Sequence, residues 1–334
     1  MRRALVTGAT GLVGRYIVER LLTDGWDVRA LARSEAADAE LRGRGVEPVR
    51  GDVRDATSLM RAAAGRDVIF HAAAAVTAHG GWDEYRATNI DGTRNIIGAS
   101  RESGARLLQV SSVAVYGATE RYRDGVTTDE SSPLPALGER AYYARSKRES
   151  EALVLDAHAR GEIWATAIRP NVIYGRGDRQ FVPRVARVLR YGIAVVPGAG
   201  QTTLPIVHAA NVADAAVRAA GIDAAGGRAY NTANDFPVTL ARFLEFAAEG
   251  LGRPLPTLLV REWLLRGVLW AALRTRMLGR SRGQPVSASA SMDFATRDNP
   301  FTSGRARTEL GWDPPMRPEI GVPEAFRWWK EHHA

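Results

Sequence analysis

The 334-residue chain contains no cysteine. This excludes disulfides, thiolate metal ligands and a cysteine nucleophile, and it fits a reducing interior compartment. Histidine is scarce as well. Of the six present, only His332 and His333 adjoin, and no ligand-like spacing exists, so no metal site is expected. Long apolar runs are missing: Trp263–Leu273 is short and is interrupted by Arg266, too little for a membrane span. Dense charge is missing too. Lys and Arg number 45 against 37 Asp and Glu, a net of +8, but the arginines are scattered and no aromatic platform interleaves them. No nucleic-acid partner is expected. Met1-Arg2-Arg3 runs directly into an apolar strand and leaves no space for a signal peptide, so the expected location is cytoplasmic.

What is present is a composition 45% hydrophobic, able to bury a sizeable core. Short apolar strands alternate with amphipathic helices through the first half. Strands are expected at Arg3–Thr7, Asp27–Ala32, Val68–Ala72, Leu107–Ser111 and Trp164–Arg169, and helices at Gly14–Asp24, Thr93–Ser103, Tyr142–His158 and Asn211–Ala220. That alternation predicts an α/β fold, a Rossmann-type doubly wound parallel sheet covered on both faces. Beyond Gly175 the pattern loosens. The expected division is a dinucleotide-binding domain over 1–174, with 204–234 returning to it, and a smaller C-terminal substrate-binding lobe over 175–203 and 235–330.

Three glycines at spacing three, Gly8, Gly11 and Gly14 in "TGATGLVG", separate the first strand from the first helix. Such a turn, with Thr10, Leu12 and Val13, offers backbone N–H groups and a helix N-terminus to a pyrophosphate. An NAD site places a carboxylate at the end of the second strand, to hold the ribose 2′-hydroxyl. Here that place holds Ala32, followed by Arg33 and Ser34, which suit a 2′-phosphate, so NADP(H) is preferred and NAD(H) remains possible. The other, lesser reading of Arg33 is a solvated loop residue. Asp52, with Val53 after it, could accept from the adenine amino group or serve as an ordinary turn aspartate.

In "AYYARSKRESE", Tyr143 and Lys147 stand at i and i+4 on one helix face. A neighbouring ammonium favours the phenolate, so the Tyr143 pKa is expected to be lowered. Ser111 and Ser112 in "VSSVAVYG" lie at a strand's carboxyl end, where open α/β sheets bind ligands. A serine there can orient a substrate oxygen while tyrosine transfers the proton.

Together these residues resemble the extended short-chain dehydrogenase/reductase family, the NAD-dependent epimerase/dehydratase-like group. "TGATGLVG", "GDVRD", "HAAA", "NIDGTRNI", "SSVAVYG", "YYARSK", "RPNVIYGRGD", "VHAANVADA" and "ELGWDPPMRPEIGVPEAFRWW" occur in the family's order over nearly the whole chain. The resemblance implies a catalytic triad of Ser112, Tyr143 and Lys147, with Lys147 also on the nicotinamide ribose. It implies Ala72 and Ala73 along the cofactor, Pro170 beside the nicotinamide, and Asn89 in a structural hydrogen bond or a proton relay. It further implies a homodimer through the helices at 91–103 and 142–158.

Members acting on nucleotide sugars carry a diphosphate-binding asparagine where Val172 stands, and an arginine where "LPIVHA" offers Leu204 and Pro205. Apolar residues there would leave anionic oxygens unpaired. The sequence is instead similar to the 3β-hydroxysteroid dehydrogenase-like and dihydroflavonol reductase-like branches. That implies an NADP(H)-dependent ketone reductase or alcohol dehydrogenase for an apolar small molecule. A sugar-nucleotide epimerase or dehydratase retaining NAD, and a non-catalytic NADP(H)-sensing regulator, are the alternatives. Leu258, Leu259 and Trp263–Leu273 fall where those branches build a substrate cover; plain core or a peripheral membrane contact are the other readings.

Overall fold

The computed structural model describes residues 1–76, 81–117, 126–190, 192, 194–233, 235–261, 263, 264, 267 and 293–333. The first half reads β1 (Arg3–Thr7), α1 (Leu12–Thr23), β2 (Asp27–Ala32), α2 (Glu35–Arg42), β3 (Glu47–Arg50), α3 (Ala56–Ala63) and β4 (Val68–His71). There follow α4 (Trp82–Tyr85), a π-helical stretch Arg86–Asp91, α5 (Gly92–Ser103), β5 (Arg106–Val110), a 3₁₀ turn Val113–Tyr116, α6 (Tyr142–Ala159) and β6 (Ala165–Pro170).

The continuous apolar strands form one seven-stranded parallel sheet in the order β10-β6-β5-β4-β1-β2-β3, where β10 is Ala229–Thr232. Alternate side chains serve opposite faces. Ala4, Val6, Leu108 and Ile168 join the core beneath α1, while Leu5, Ile69, Leu107 and Ala165 join the one beneath α3, α5 and α6. The order reverses between β1 and β4, opening a crevice at their carboxyl ends. The fold expectation is borne out. Strand ends differ by one residue at β4, β5 and β6, because ladder pairing rather than hydrophobicity sets them. Helix α1 begins two residues before the expected Gly14, with Gly11 as its N-cap.

After β6 the chain forms β7 (Val172–Tyr174), α7 (Phe181–Leu189), β8 (Ala194–Pro197), β9 (Ile206–His208), α8 (Ala209–Gly221), β10, α9 (Leu240–Leu251), β11 (Thr257–Val260), α10 (Gly304–Leu310) and α11 (Pro318–His333). Two small parallel pairs, β7 with β9 and β8 with β11, stand outside the main sheet. A third core joins Phe243 and Ala247 of α9 to Val322 and Phe326 of α11. The backbones meet closely: a Cβ on Gly250 would lie 2.4 Å from the Pro323 carbonyl oxygen. The segment Gly304–Trp312, by contrast, returns to the main sheet. Ala306, Leu310 and Trp312 belong to the α1-side core, and the Trp312 indole donates to the Asn211 carbonyl at 3.1 Å. No helix among the described residues is long and apolar enough to cross a membrane.

Candidate active site

The glycine turn is shaped by close approach. Gly8 has φ +72°, and a Cβ on it would lie 2.6 Å from the Ala73 nitrogen; one on Gly14 would lie 2.1 Å from the Gly8 oxygen. The N-cap, Gly11, carries no side chain and the first turn of α1 holds no acidic residue, so its N–H groups face the crevice uncapped. This is a cradle suited to a pyrophosphate. Gly14→Ala is expected to abolish cofactor binding in a cofactor titration, whereas Gly11→Ala, with only a 3.1 Å contact to the Gly8 oxygen, loses far less.

A cleft of about 590 Å³ opens from this turn. It gathers Gly8, Thr10, Gly11, Leu12, Val13, Gly14, Ala72, Ser112, Tyr143, Lys147 and Pro170, bringing most of the sequence-derived site together. Ala73, Arg33, Ser34, Asp52 and Val53 are not among its walls. Ala73 borders the turn and donates its N–H to Thr7 Oγ1 at 3.3 Å. Ser34 caps α2, its hydroxyl accepting from the Ala37 N–H at 3.2 Å. Arg33 is exposed beside it. Asp52 takes Arg54 Nε at 3.0 Å and Nη2 at 2.8 Å, and this pairing holds its carboxyl below the usual range. Val53 is buried and packs over Gly92.

At the other end of the cleft, Ser112 follows β5, and its hydroxyl accepts from the Ala114 N–H at 3.1 Å, opening the 3₁₀ turn. The Tyr143 side chain lines the same cleft as Ser112, which favours its phenolate. Lys147, one helical turn on, is buried and its Nζ donates to the Val110 carbonyl at 2.8 Å. The expected lowering of the phenol is not found. Burial pushes Tyr143 up to about 12, outweighing the opposite influence of Ser112, while burial pushes Lys147 down to about 8. An ammonium held against a carbonyl in a desolvated site does little for the phenolate, so Tyr143 is a proton-bearing phenol at neutral pH.

Residues that the sequence reading did not single out hold this frame. Glu151 follows Lys147 at i+4 on the same face of α6, which was the available signal. Its buried carboxylate accepts Arg169 Nε at 3.1 and 3.0 Å and Nη2 at 2.5 Å. Burial alone would lower the guanidinium, but Glu151 holds it above its ordinary value. Arg169 also donates to the Tyr116 hydroxyl at 2.5 Å, and Tyr116 donates to Asn231 Oδ1 at 3.0 Å. One arginine thus joins the turn after Ser112, the helix of Tyr143 and Lys147, and the strand ending in Pro170. Asn89 is structural in its bonding: it takes the Ala75 N–H at 2.7 Å and donates to the Ala75 carbonyl and to Ser146 Oγ, both at 3.0 Å.

Two buried histidines lie close by. Thr93 Oγ1 donates its single proton to the Asn89 carbonyl at 2.6 Å, so it accepts from His71 Nε2, and His71 Nδ1 accepts from Thr7 at 2.8 Å. His208 Nδ1 accepts from the Ala210 N–H at 3.1 Å, and its Nε2 has no hydrogen-bond partner among the described residues. Burial, with the charges of Lys147 and Arg176 respectively adding, pushes each histidine down to about 3. Their native pKa lies below the unfolded value near 6.5, so the unfolded chain binds more protons as pH falls. Stability is full above about pH 6.5 and is lost toward pH 3, at up to about 1.4 kcal/mol per unit for each histidine. Urea midpoints measured across that range check this.

The remaining walls include Val76, Asn171, Ile173, Arg179, Gln180, Phe181 and Phe294, with the Phe181 and Phe294 rings 5.8 Å apart. Leu258 and Leu259 do not line the cleft. Of Trp263–Leu273 only Trp263, Leu264 and Gly267 fall among the described residues.

Comparison with known proteins agrees with this geometry. Residues 4–233 match the NAD dependent epimerase/dehydratase family. The chain is 30% identical to 2-alkyl-3-oxoalkanoate reductase of Stenotrophomonas maltophilia over 96% of its own length and 97% of that protein's. It is 32% identical, over 75% of its length and 73% of the relative's, to a 4-hydroxy-2-methyl-3-oxo-4-farnesyl-3,4-dihydroquinoline-1-oxide ketoreductase of Stigmatella aurantiaca. Other matches include 3β-hydroxysteroid dehydrogenases. The crystal structure of gox2253 superposes with TM-score 0.77 at 25% identity, covering 100% of this chain and 99% of that one. The chain belongs to the NAD dependent epimerase/dehydratase family and is an NAD(P)-dependent dehydrogenase/reductase acting at hydroxyl or ketone carbon.

Proposed function

We propose that the chain reduces a ketone on a hydrophobic small molecule, or oxidises the matching secondary alcohol, with NADP(H). The observation that carries this is that Ser112, Tyr143 and Lys147 line one cleft with the glycine turn, under walls that include Val76, Ile173, Phe181 and Phe294. When bound, the nicotinamide supplies or accepts the hydride. Gly8, Gly11 and Gly14 would hold its pyrophosphate and Lys147 its ribose. Ser112 orients the substrate oxygen, and Tyr143, protonated at neutral pH, donates to the developing alkoxide.

An apolar substrate is supported by the two positions where sugar-nucleotide enzymes bind diphosphate: Leu204 is buried in the third core, and Val172 is packed against it. The preference for NADPH rests on Arg33, exposed at the end of β2 where no carboxylate stands. The same reading takes α5 and α6 as the faces of a homodimer, measurable by light scattering. The function test mixes the purified protein with NADPH or NADH and a panel of alkyl, polycyclic and β-keto ketones, following cofactor absorbance. NADPH consumption with an apolar ketone is expected. Turnover of UDP-sugars with retained NAD, or no oxidation of either cofactor across the panel, overturns the reading.

A further inference from the structure

The pair β8 and β11 presents an unusual surface. Parallel ladders are ordinarily covered on both faces, and here one face is covered: Ala194 and Val196 are buried in the third core. The other is open. Val195 and Leu258 are register partners on this face and are 48% and 53% exposed; Leu259, the partner of Val196 on the other face, is exposed at the edge at 60%, and Trp263 beyond β11 is 65% exposed. Near the end of α7, Val188 is 61% exposed between the exposed Arg187 and Arg190. Arg253 ties the chain before β11 to the end of α7, donating to the Leu189 carbonyl at 2.8 Å.

The charge in the segments flanking these side chains is predominantly positive, Glu262 before Trp263 being the exception. From Arg179 to Asn211 and from Leu251 to Arg261 the sequence holds arginines and no acidic residue. An apolar patch of this kind marks a contact surface. A second copy of the chain fits it poorly, since a two-fold contact would set arginines against arginines. A layer with buried hydrocarbon and surface phosphates satisfies both parts: the apolar side chains enter the interface while arginines reach the anionic headgroups.

We propose that the face formed by β8, β11 and the outer side of α7 docks on an anionic phospholipid bilayer. The inference stands on this surface and not on the catalytic reading. It is tested by sedimenting the whole protein with vesicles of phosphatidylcholine alone and with equal parts phosphatidylglycerol, at low and high salt. Co-sedimentation with the anionic vesicles, weakened by salt, is expected. The double variant Val195→Thr/Leu258→Glu is expected to lose binding at least about tenfold while keeping its Tm, and Arg187→Glu to weaken it at low salt. Absence of anionic-vesicle binding overturns the proposal, as does a double variant that keeps its Tm and still binds. A concentration-dependent dimer abolished by the same variants, without vesicle binding, also overturns it in favour of a protein interface.

Discussion

Tyr143→Phe is expected to lower kcat for ketone reduction by about 10²–10⁴-fold, with cofactor affinity nearly unchanged. The size follows from where the proton sits. With burial pushing the phenol up to about 12, essentially every molecule carries the tyrosine proton at neutral pH. The ring otherwise packs against Tyr85, centroids 6.3 Å apart, so phenylalanine keeps the packing and removes only the transferable proton. Ser112→Ala is expected to cost less, since it removes an orienting contact and the partner of the Ala114 N–H. Steady-state kinetics beside a cofactor titration separate the two; a Tyr143→Phe protein retaining full turnover contradicts the proton-donor assignment.

Arg169→Met is expected to destabilise the fold by about 3–5 kcal/mol, because it strands the Glu151 carboxylate in the interior. Both side chains are nearly inaccessible, 7% and 5% exposed. For a chain of this size that corresponds to a Tm drop of roughly 5 °C. The double change Arg169→Met/Glu151→Leu removes both charges and is expected to recover much of the loss, as replaced buried pairs do elsewhere. The readout is a double-mutant cycle in Tm. Equal instability of the single and double variants would show that the Tyr116 and Asn231 contacts, rather than the charge pair, hold the region together.

What could be read from sequence followed the kind of signal involved. β1 and β2 were legible to the residue because apolar runs buried on both faces are bounded by glycine turns and charge. Tyr143 and Lys147 were legible because i and i+4 on a helix is a fixed geometry, and the glycines because only close backbone approach explains them. The direction of the Tyr143 shift was not legible: it depends on desolvation by segments distant in sequence, which outweighs a charge inferred from spacing. Nor could the sequence show that Arg54 engages Asp52 or that Ser34 caps α2, since free and committed side chains have the same letters. The Arg169 network draws on four separate segments, and β8 with β11 meet across more than fifty residues, so neither leaves a local periodicity.

The return of Trp312 to the α1-side core has a consequence for how the polypeptide is made. Strands β1 to β6 emerge from a ribosome well before residue 312, and the hollow that this indole fills stays open until that residue follows. Because the indole is 2% exposed and anchored to Asn211, a nascent chain stopped near residue 300 would carry a nearly finished sheet with a hole in its hydrophobic interior. Truncation just before Trp312 should therefore yield a chain that collects on holdase chaperones rather than a smaller working protein.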